Sequence, residues 1–252
     1  MKIIISPAKK MNTATDDFLP AGLPVFIAET AKLLDILKTM DYTGVKKLWH
    51  CSDAIATMNY ERLQTMDLYR NLTPAVLAYE GIQYMHMAPG IFEYSQLEYI
   101  KKHLYILSGF YGLLRSFDGI VPYRLEMQAR FPAMPFKNLY SFWNDKISSV
   151  LCSDKELILN LASKEYSRVV TDHLPSSARF LTCTFGEMKA DRVVEKGTMC
   201  KIARGEMVRW LAENKVADFQ SIKEFAMFGY SYNNTYSTEN NFVFIRNNPV
   251  VL

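Results

Sequence analysis

The chain has 252 residues, of which 49% are hydrophobic and 22% are charged, with a formal net charge of +3. This composition is typical of a globular protein with a substantial core, and it excludes a disordered protein. Because no apolar run approaches the roughly 20 residues that cross a bilayer and no signal-peptide pattern opens the chain, we expect a cytoplasmic protein without a membrane partner. The small net charge means that any nucleic-acid site must come from local clusters of basic residues.

Hydrophobic patterns along the chain predict an α/β fold with a central mixed sheet flanked by helices. Strands are predicted at residues 2–6, 75–79, 104–107, 123–127, 157–161, 179–185, 227–232 and 242–246. Amphipathic helices are predicted at residues 27–40, 137–151 and 198–214. No repeat, low-complexity tract or Pro/Ser-rich linker divides the sequence, which favours a single domain over residues 1–252.

The first predicted strand is followed directly by Ser6-Pro7-Ala8-Lys9. In α/β proteins, ligand-binding loops follow the carboxyl ends of strands. Pro7 fixes the path of this loop and Lys10 adds a second positive charge, so Lys9 is a candidate to contact a phosphate or a carboxylate. An ordinary surface turn is the alternative.

Residues 42–62 are typical of two short helices that join near residues 50–53, with Ser52 or Asp53 as the N-cap of the second helix. Such a turn can hold a phosphate with exposed N–H groups and a helix dipole, and Lys46 and Lys47 would add charge. The turn lacks the glycine pair of a helix-hairpin-helix phosphate loop, because Gly44 precedes the first predicted helix. A helix pair that only covers the sheet is therefore the alternative.

Residues 107–127 combine glycines, aromatic rings, two arginines and a carboxylate in one segment. Gly109 and Gly112 interrupt its apolar part, and glycine lets a backbone approach a ligand closely or adopt a positive φ. This composition is typical of a binding site.

The part of this segment after Pro122 alternates polar and apolar residues. In an extended chain, Arg124 and Glu126 lie on one face, and the opposite face carries Tyr123, Leu125 and Met127. A charged face suits a binding cleft. The alternative is an ion-pair network of Arg115, Arg124 and Glu126 that closes a loop.

Motifs for several kinds of chemistry are missing from the sequence. It contains no G-x-S-x-G, Walker A or G-x-G-x-x-G pattern, and none of its four histidines lies near a signature nucleophile. Its four cysteines show no C-x-x-C spacing, and no histidine accompanies the adjacent carboxylates Asp16 and Asp17. We therefore expect no metal site and no cofactor.

Glu126 is the main candidate for a general acid or base, and Glu165 is the second. Neighbouring arginines would lower the pKa of Glu126 and keep it ionised, which makes it better suited to orient Arg124 than to donate a proton.

Five blocks of sequence occur in a specific order and spacing. They are Ile5-Ser-Pro-Ala-Lys9, Leu107-Ser-Gly-Phe-Tyr-Gly-Leu-Leu-Arg115, Pro122-Tyr-Arg-Leu-Glu-Met127, Asn160-Leu-Ala-Ser-Lys-Glu-Tyr166, and Ala203-Arg-Gly205 with Met207 and Arg209. With these blocks the chain resembles, from end to end, the YaaA-type peroxide-stress proteins of bacteria. The resemblance implies a cytoplasmic protein that binds DNA and limits damage by hydrogen peroxide, linked to a low level of free iron. It implies no established reaction.

Together these observations predict one basic cleft formed by strand-end loops. Its predicted residues are Ser6, Lys9, Tyr111, Arg115, Tyr123, Arg124 and Glu126, with Arg204 and Arg209 reaching it from the late helix. The expected partner is duplex or distorted DNA, whose phosphates would contact the basic residues while the two tyrosines stack on an exposed base. The alternatives are an enzyme that acts on nucleic acid or on a small phosphorylated substrate, with Glu126 as acid or base, and an iron-handling protein. No protein partner is evident.

Overall fold

A computed structural model describes residues 1–13, 18–131 and 136–247 of the chain. The strands in these ranges are β1 (Lys2–Ile5), β2 (Lys10–Met11), β3 (Thr73–Pro74), β4 (Tyr79–Glu80), β5 (Leu104–Ser108), β6 (Gly112–Arg115), β7 (Gly119–Ile120), β8 (Ile158–Asn160), β9 (Phe180–Lys189), β10 (Arg192–Val194), β11 (Tyr230–Tyr232) and β12 (Asn241–Arg246). The α-helices are α1 (Ile27–Lys38), α2 (Tyr42–Trp49), α3 (Asp53–Thr65), α4 (Ala75–Ala78), α5 (Ile82–Met87), α6 (Tyr94–His103), α7 (Leu139–Trp143), α8 (Lys146–Leu151), α9 (Lys164–Thr171) and α10 (Gly197–Asn214).

A mixed sheet of eight strands forms the centre of the fold, in the order β11-β12-β9-β8-β1-β5-β6, with β10 paired to β9. The five strands from β12 to β5 run parallel, while β6 and β11 run antiparallel at the edges. Ile3, Ile4 and Ile5 of the central strand are all fully buried, so both faces of the sheet are covered at this point. The predicted α/β class with a central mixed sheet flanked by helices is confirmed.

Most predicted elements occur in the structure. The predicted helix at 27–40 contains α1, the predicted helix at 198–214 coincides with α10, and six predicted strands coincide with β1, β5, β8, β9, β11 and β12. The predicted helix at 137–151 is divided into α7 and α8 at Asn144, whose φ of 45° is incompatible with an α-helix. The single-domain extent of residues 1–252 stays a prediction.

Two predicted strands are wrong. Residues 75–78 form the short helix α4, because an apolar run of this length fits a buried helical turn as well as a strand. Residues 123–127 belong to no strand. They nevertheless keep the predicted alternation, because Tyr123, Leu125 and Met127 are buried while Arg124 and Glu126 are partly exposed.

The predicted helix pair is confirmed as α2 and α3, with Ser52 at the N-cap of α3. Gly44 does not precede the first helix. It lies in the first turn of α2, where its N–H donates to the N-cap carboxylate of Asp41 at 2.7 Å. Lys46 forms an ion pair with Asp53, which ties the two helices together.

The connections around β1 create a crevice at one edge of the sheet. From β1 the next parallel strand in the chain is β5, on one side, whereas β8 lies on the other side of β1. Ligands of open α/β sheets bind where the strand order reverses in this way, outside the carboxyl ends of the strands. In this protein that point lies between the loops that follow β1 and β8.

Candidate functional site

The loops after β1 and β8 are joined by hydrogen bonds at the crevice. The Ser163 N–H donates to Ser6 Oγ at 2.8 Å, and the two hydroxyl oxygens lie 3.2 Å apart. The Tyr84 hydroxyl donates to the Ser6 carbonyl at 3.0 Å. The start of α9 and the helix α5 thereby fix the position of the loop that carries Lys9.

Three predicted site residues lie together at this loop. Glu126 Oε1 is 3.4 Å from Lys9 Nζ and 3.2 Å from the Arg124 guanidinium. The Lys9 side chain is 70% exposed, whereas those of Glu126 and Arg124 are 14% and 9% exposed. Glu126 therefore bridges an exposed surface cation and a nearly buried one.

Gly109 explains how residues 124–126 reach the crevice. A Cβ at Gly109 would lie only 2.5 Å from the Leu125 carbonyl oxygen, so this close packing of two backbone segments requires glycine. Gly112 has a φ of +71° and contacts the ring of Trp143. Both glycines thus serve close approaches within the protein itself.

A cavity of about 400 Å³ opens beside the two loops, and we call it the switch-point cavity. Its walls include Lys9 and Glu126, and the remaining residues that matter for its chemistry are Ser163, Glu165, Gln83, Lys201 and Arg204. A volume of this size falls within the range of small-molecule sites.

Helix α10 contributes two cations to this cavity, Lys201 and Arg204, which lie about one helical turn apart. The Arg204 guanidinium is 3.6 Å from Glu195, and its Nε is buried without a hydrogen-bond partner among the described residues. Lys201 is exposed and forms no ion pair within the described part of the chain. Lys201 is therefore open to an anionic ligand, and Arg204 adds a largely buried positive charge at the cavity wall.

The close packing of α10 on α5 brings Gln83 to the same cavity. A Cβ at Gly205 would lie 2.2 Å from the Gln83 carbonyl oxygen, so only glycine allows the two helices to approach this closely. The Gln83 side chain is buried, and its Nε2 has no hydrogen-bond partner in the described residues.

Two carboxylates of the cavity differ in their surroundings. Burial raises the pKa of Glu165, and the neighbouring charge of Glu126 raises it further, although the Gln128 N–H and Lys9 oppose these effects. Glu165 forms no ion pair with another described residue, whereas Glu126 contacts two cations. Glu165 is thus the better proton donor, and Glu126 is the better orienting group.

A second cavity, of about 640 Å³, lies between α2, the loop of Lys9 and residues 126–130. We call it the hairpin cavity. It shares Lys9 and Glu126 with the switch-point cavity and adds Lys47 and Arg130. Positively charged side chains from α10, from the loop of Lys9 and from α2 therefore line two cavities that share Lys9.

Five predicted site residues do not line these cavities, and one of them, Arg124, contacts the site only through its ion pair with Glu126. Arg115 lies opposite Tyr105, three residues before the carboxyl end of β5, and is exposed away from the crevice. Arg209 bonds to Glu213 at 2.8 Å and lies on a different face of α10 from Arg204.

Tyr111 and Tyr123 are in the core, where their exposed fractions are 0% and 8%. The Tyr123 hydroxyl lies 2.6 Å from Ser108 Oγ and 2.8 Å from the Tyr79 hydroxyl, and burial raises its pKa to about 12. The rings are not accessible to a base, because both are packed in the core. Composition alone does not indicate this packing.

Groups of three or more histidine, cysteine or acidic side chains that could hold a metal ion are not found among the described residues. Asp16 and Asp17 lie outside the described ranges. None of the described helices has both the length and the apolar composition of a membrane span.

Comparison with known proteins places this architecture in a family. A family model described as peroxide stress protein YaaA matches residues 1–236. The chain belongs to the peroxide stress protein YaaA family. It is 50% identical over 246 residues to a UPF0246 protein of Desulfitobacterium hafniense, with 98% of each chain covered. Family members named UPF0246 protein from Lachnoclostridium phytofermentans and Pediococcus pentosaceus are each 48% identical, over 98% of this chain and 96% and 98% of their own lengths.

Membership of the YaaA family confirms the resemblance of the five sequence blocks. Ser6, Lys9, Glu126, Ser163, Glu165 and Arg204 come from four of these blocks and lie around the switch-point cavity. Arg124 contacts Glu126 from outside that cavity. Sequence reasoning missed Gln83 and Ser163. The Ser163 block was recognised without a role for the serine, and Gln83 carries no motif because only the contact between α5 and α10 brings it to the cavity.

Proposed function

We propose that this protein acts in the cytoplasm in the response to hydrogen peroxide, by binding DNA along the switch-point and hairpin cavities. The family supports the peroxide-stress role. The observation that carries DNA binding is that five cations, Lys201, Arg204, Lys9, Lys47 and Arg130, line two cavities that share Lys9. Such a set of cations suits the phosphates of DNA, which supply most of the sequence-independent affinity.

The link to iron rests on the family resemblance. We propose that DNA binding limits oxidative damage and is associated with a lower level of free iron, without a metal site or cofactor in this chain. Iron content of the purified protein tests the competing iron-handling role: a stoichiometric amount of bound iron would favour that role over the proposed one.

Fluorescence anisotropy with labelled duplex and bubbled DNA tests the proposal. We expect Lys9→Ala and Arg204→Ala each to weaken binding by about tenfold, since each removes a charge-assisted contact to phosphate. Arg115→Ala and Arg209→Ala are matched controls, because they remove the same charge outside the two cavities. Equal losses in all four variants would contradict the assignment of the cleft.

A second candidate is an enzyme that acts on nucleic acid or on a small phosphorylated substrate. It is favoured by the pair of carboxylates in one cavity, of which Glu165 has a raised pKa and Glu126 is held by two cations. In this candidate Glu126 keeps a polar group in place and Glu165 donates the proton. A product formed from DNA or a nucleotide by the wild type but not by Glu165→Gln would establish it.

A further inference from the structure

We propose that the switch-point cavity binds one nucleoside monophosphate unit, with the phosphate held by Lys201 and Arg204 and an acceptor atom of the base held by Gln83. The unit is either a free nucleotide or an unpaired nucleotide of a DNA strand. Only binding of the unpaired nucleotide of a DNA strand rests on the proposed DNA binding.

The preference for an anion comes from two elements that meet at the cavity. Lys201 lacks an ion pair within the described residues, and Arg204 has only a long contact to Glu195 together with a buried, unpartnered Nε. The helix α9 begins beside them, and its N-cap Ser163 makes no side-chain capping bond because its hydroxyl lies against Ser6. The first turn of α9 therefore offers uncapped N–H groups to a phosphate.

The preference for a base with hydrogen-bond acceptors comes from Gln83. Its residue is 6% exposed, its Nε2 is buried without a partner in the described structure, and it lies on the wall of the same cavity. Buried donors of native proteins are almost always paired. A carbonyl oxygen or ring nitrogen of a ligand would supply the missing acceptor.

The size and the other walls of the cavity fit the remainder of such a ligand. Pro7, Ala8 and Ile82 add apolar, partly exposed surface to the cavity wall. The volume of about 400 Å³ lies within the range of small-molecule sites. An apolar wall, an anion site and a single amide donor together correspond to a flat heterocycle that carries a phosphate.

Calorimetric titration of the full chain with AMP, adenosine and inorganic phosphate tests whether the cavity binds a free nucleotide. We expect AMP to bind at least tenfold more tightly than either fragment, because it engages both parts of the site. Lys201→Ala should weaken AMP binding by about tenfold, since an exposed lysine contact to the phosphate is lost without a change in the core. Arg209→Ala, on another face of α10, should leave AMP binding unchanged.

Gln83→Leu tests the amide separately from the charge. It keeps the approximate volume of the side chain and should lower the affinity for AMP towards that for inorganic phosphate, because the contact to the base is lost. The unfolding temperature shows whether the variant is folded. Lys201→Ala remains informative if Gln83→Leu fails to fold.

Fluorescence anisotropy tests whether the cavity binds an unpaired nucleotide of a DNA strand. It compares a fully paired duplex with a duplex that contains one unpaired adenosine nucleotide. Tighter binding of the second duplex, lost in Gln83→Leu or in competition with AMP, supports the proposal even where free AMP binds weakly. The proposal is overturned if AMP does not bind and the unpaired nucleotide gives no preference, or if neither variant alters these affinities. Binding of AMP without binding of any duplex would refute the proposed DNA function and leave the nucleotide site intact.

Discussion

Replacement of Gly205 by alanine tests whether the contact between α5 and α10 determines the shape of the switch-point cavity. An added Cβ would lie 2.2 Å from the Gln83 carbonyl oxygen and 3.0 Å from both His86 Cβ and Met87 N. Because these neighbours belong to the body of α5, the contact cannot be relieved by rotation of a flexible side chain. The helices must separate by more than 1 Å, roughly the difference between this distance and a van der Waals contact.

We expect Gly205→Ala to destabilise the protein by about 3 kcal/mol, the upper part of the range for overpacking. For a chain of this length, a loss of that size lowers the unfolding temperature by about 6–12 °C. Thermal unfolding followed by circular dichroism measures the change directly.

Gly197→Ala is the matched control, because Gly197 opens the same helix and a Cβ there would meet nothing within 4 Å. Alanine is favoured over glycine in helices by up to about 1 kcal/mol, so this control should keep or slightly raise the unfolding temperature. Equal unfolding temperatures for the two variants would refute the reasoning about close packing.

Two further predictions concern buried polar groups. Tyr123→Phe should destabilise the protein by about 1–3 kcal/mol in urea unfolding, because Ser108 and Tyr79 lose a buried partner; an unchanged midpoint would show that their hydrogen bonds contribute nothing. Burial raises the pKa of Asp118 to about 6, so the native protein retains a proton that the unfolded chain releases above about pH 4. Between about pH 4 and pH 6 this group should therefore remove stability as pH rises, by up to about 3 kcal/mol, and Asp118→Asn should be more stable than the wild type at pH 7.5 but not at pH 4. Parallel stability profiles of the two proteins from pH 4 to pH 8 would contradict this assignment.

The sequence predicts those parts of the fold that depend on neighbouring residues, and it does not predict contacts between distant segments. The run Ile3-Ile4-Ile5 predicts a buried central strand because three consecutive apolar residues need cover on both faces. The alternation after Pro122 correctly separates Arg124 from its buried neighbours. It does not reveal that this segment lacks a strand partner, since its backbone packs on Gly109 instead.

The candidate site was only partly predictable for the same reason. Lys9 follows a strand directly, so its position at the sheet edge is a local property of the sequence. Tyr111 and Arg115 belong to the same glycine-rich segment, but Tyr111 is buried in the β5–β6 turn, whereas Arg115 lies at the far end of β6, away from the crevice. Gln83 has no local signal, because its role depends on a helix more than a hundred residues later in the chain.

The central claim is that the two cavities hold DNA phosphates, and the salt dependence of DNA binding tests it most directly. Each phosphate contact to a duplex contributes about −0.9 to the slope of log affinity against log salt concentration. We predict that the double variant Lys9→Ala/Lys201→Ala reduces the steepness of that slope by about 2 relative to wild type, whereas Arg115→Ala/Arg209→Ala has the wild-type slope. Parallel lines for the cavity variant and wild type, or a reduced slope only in the second pair, would contradict the account.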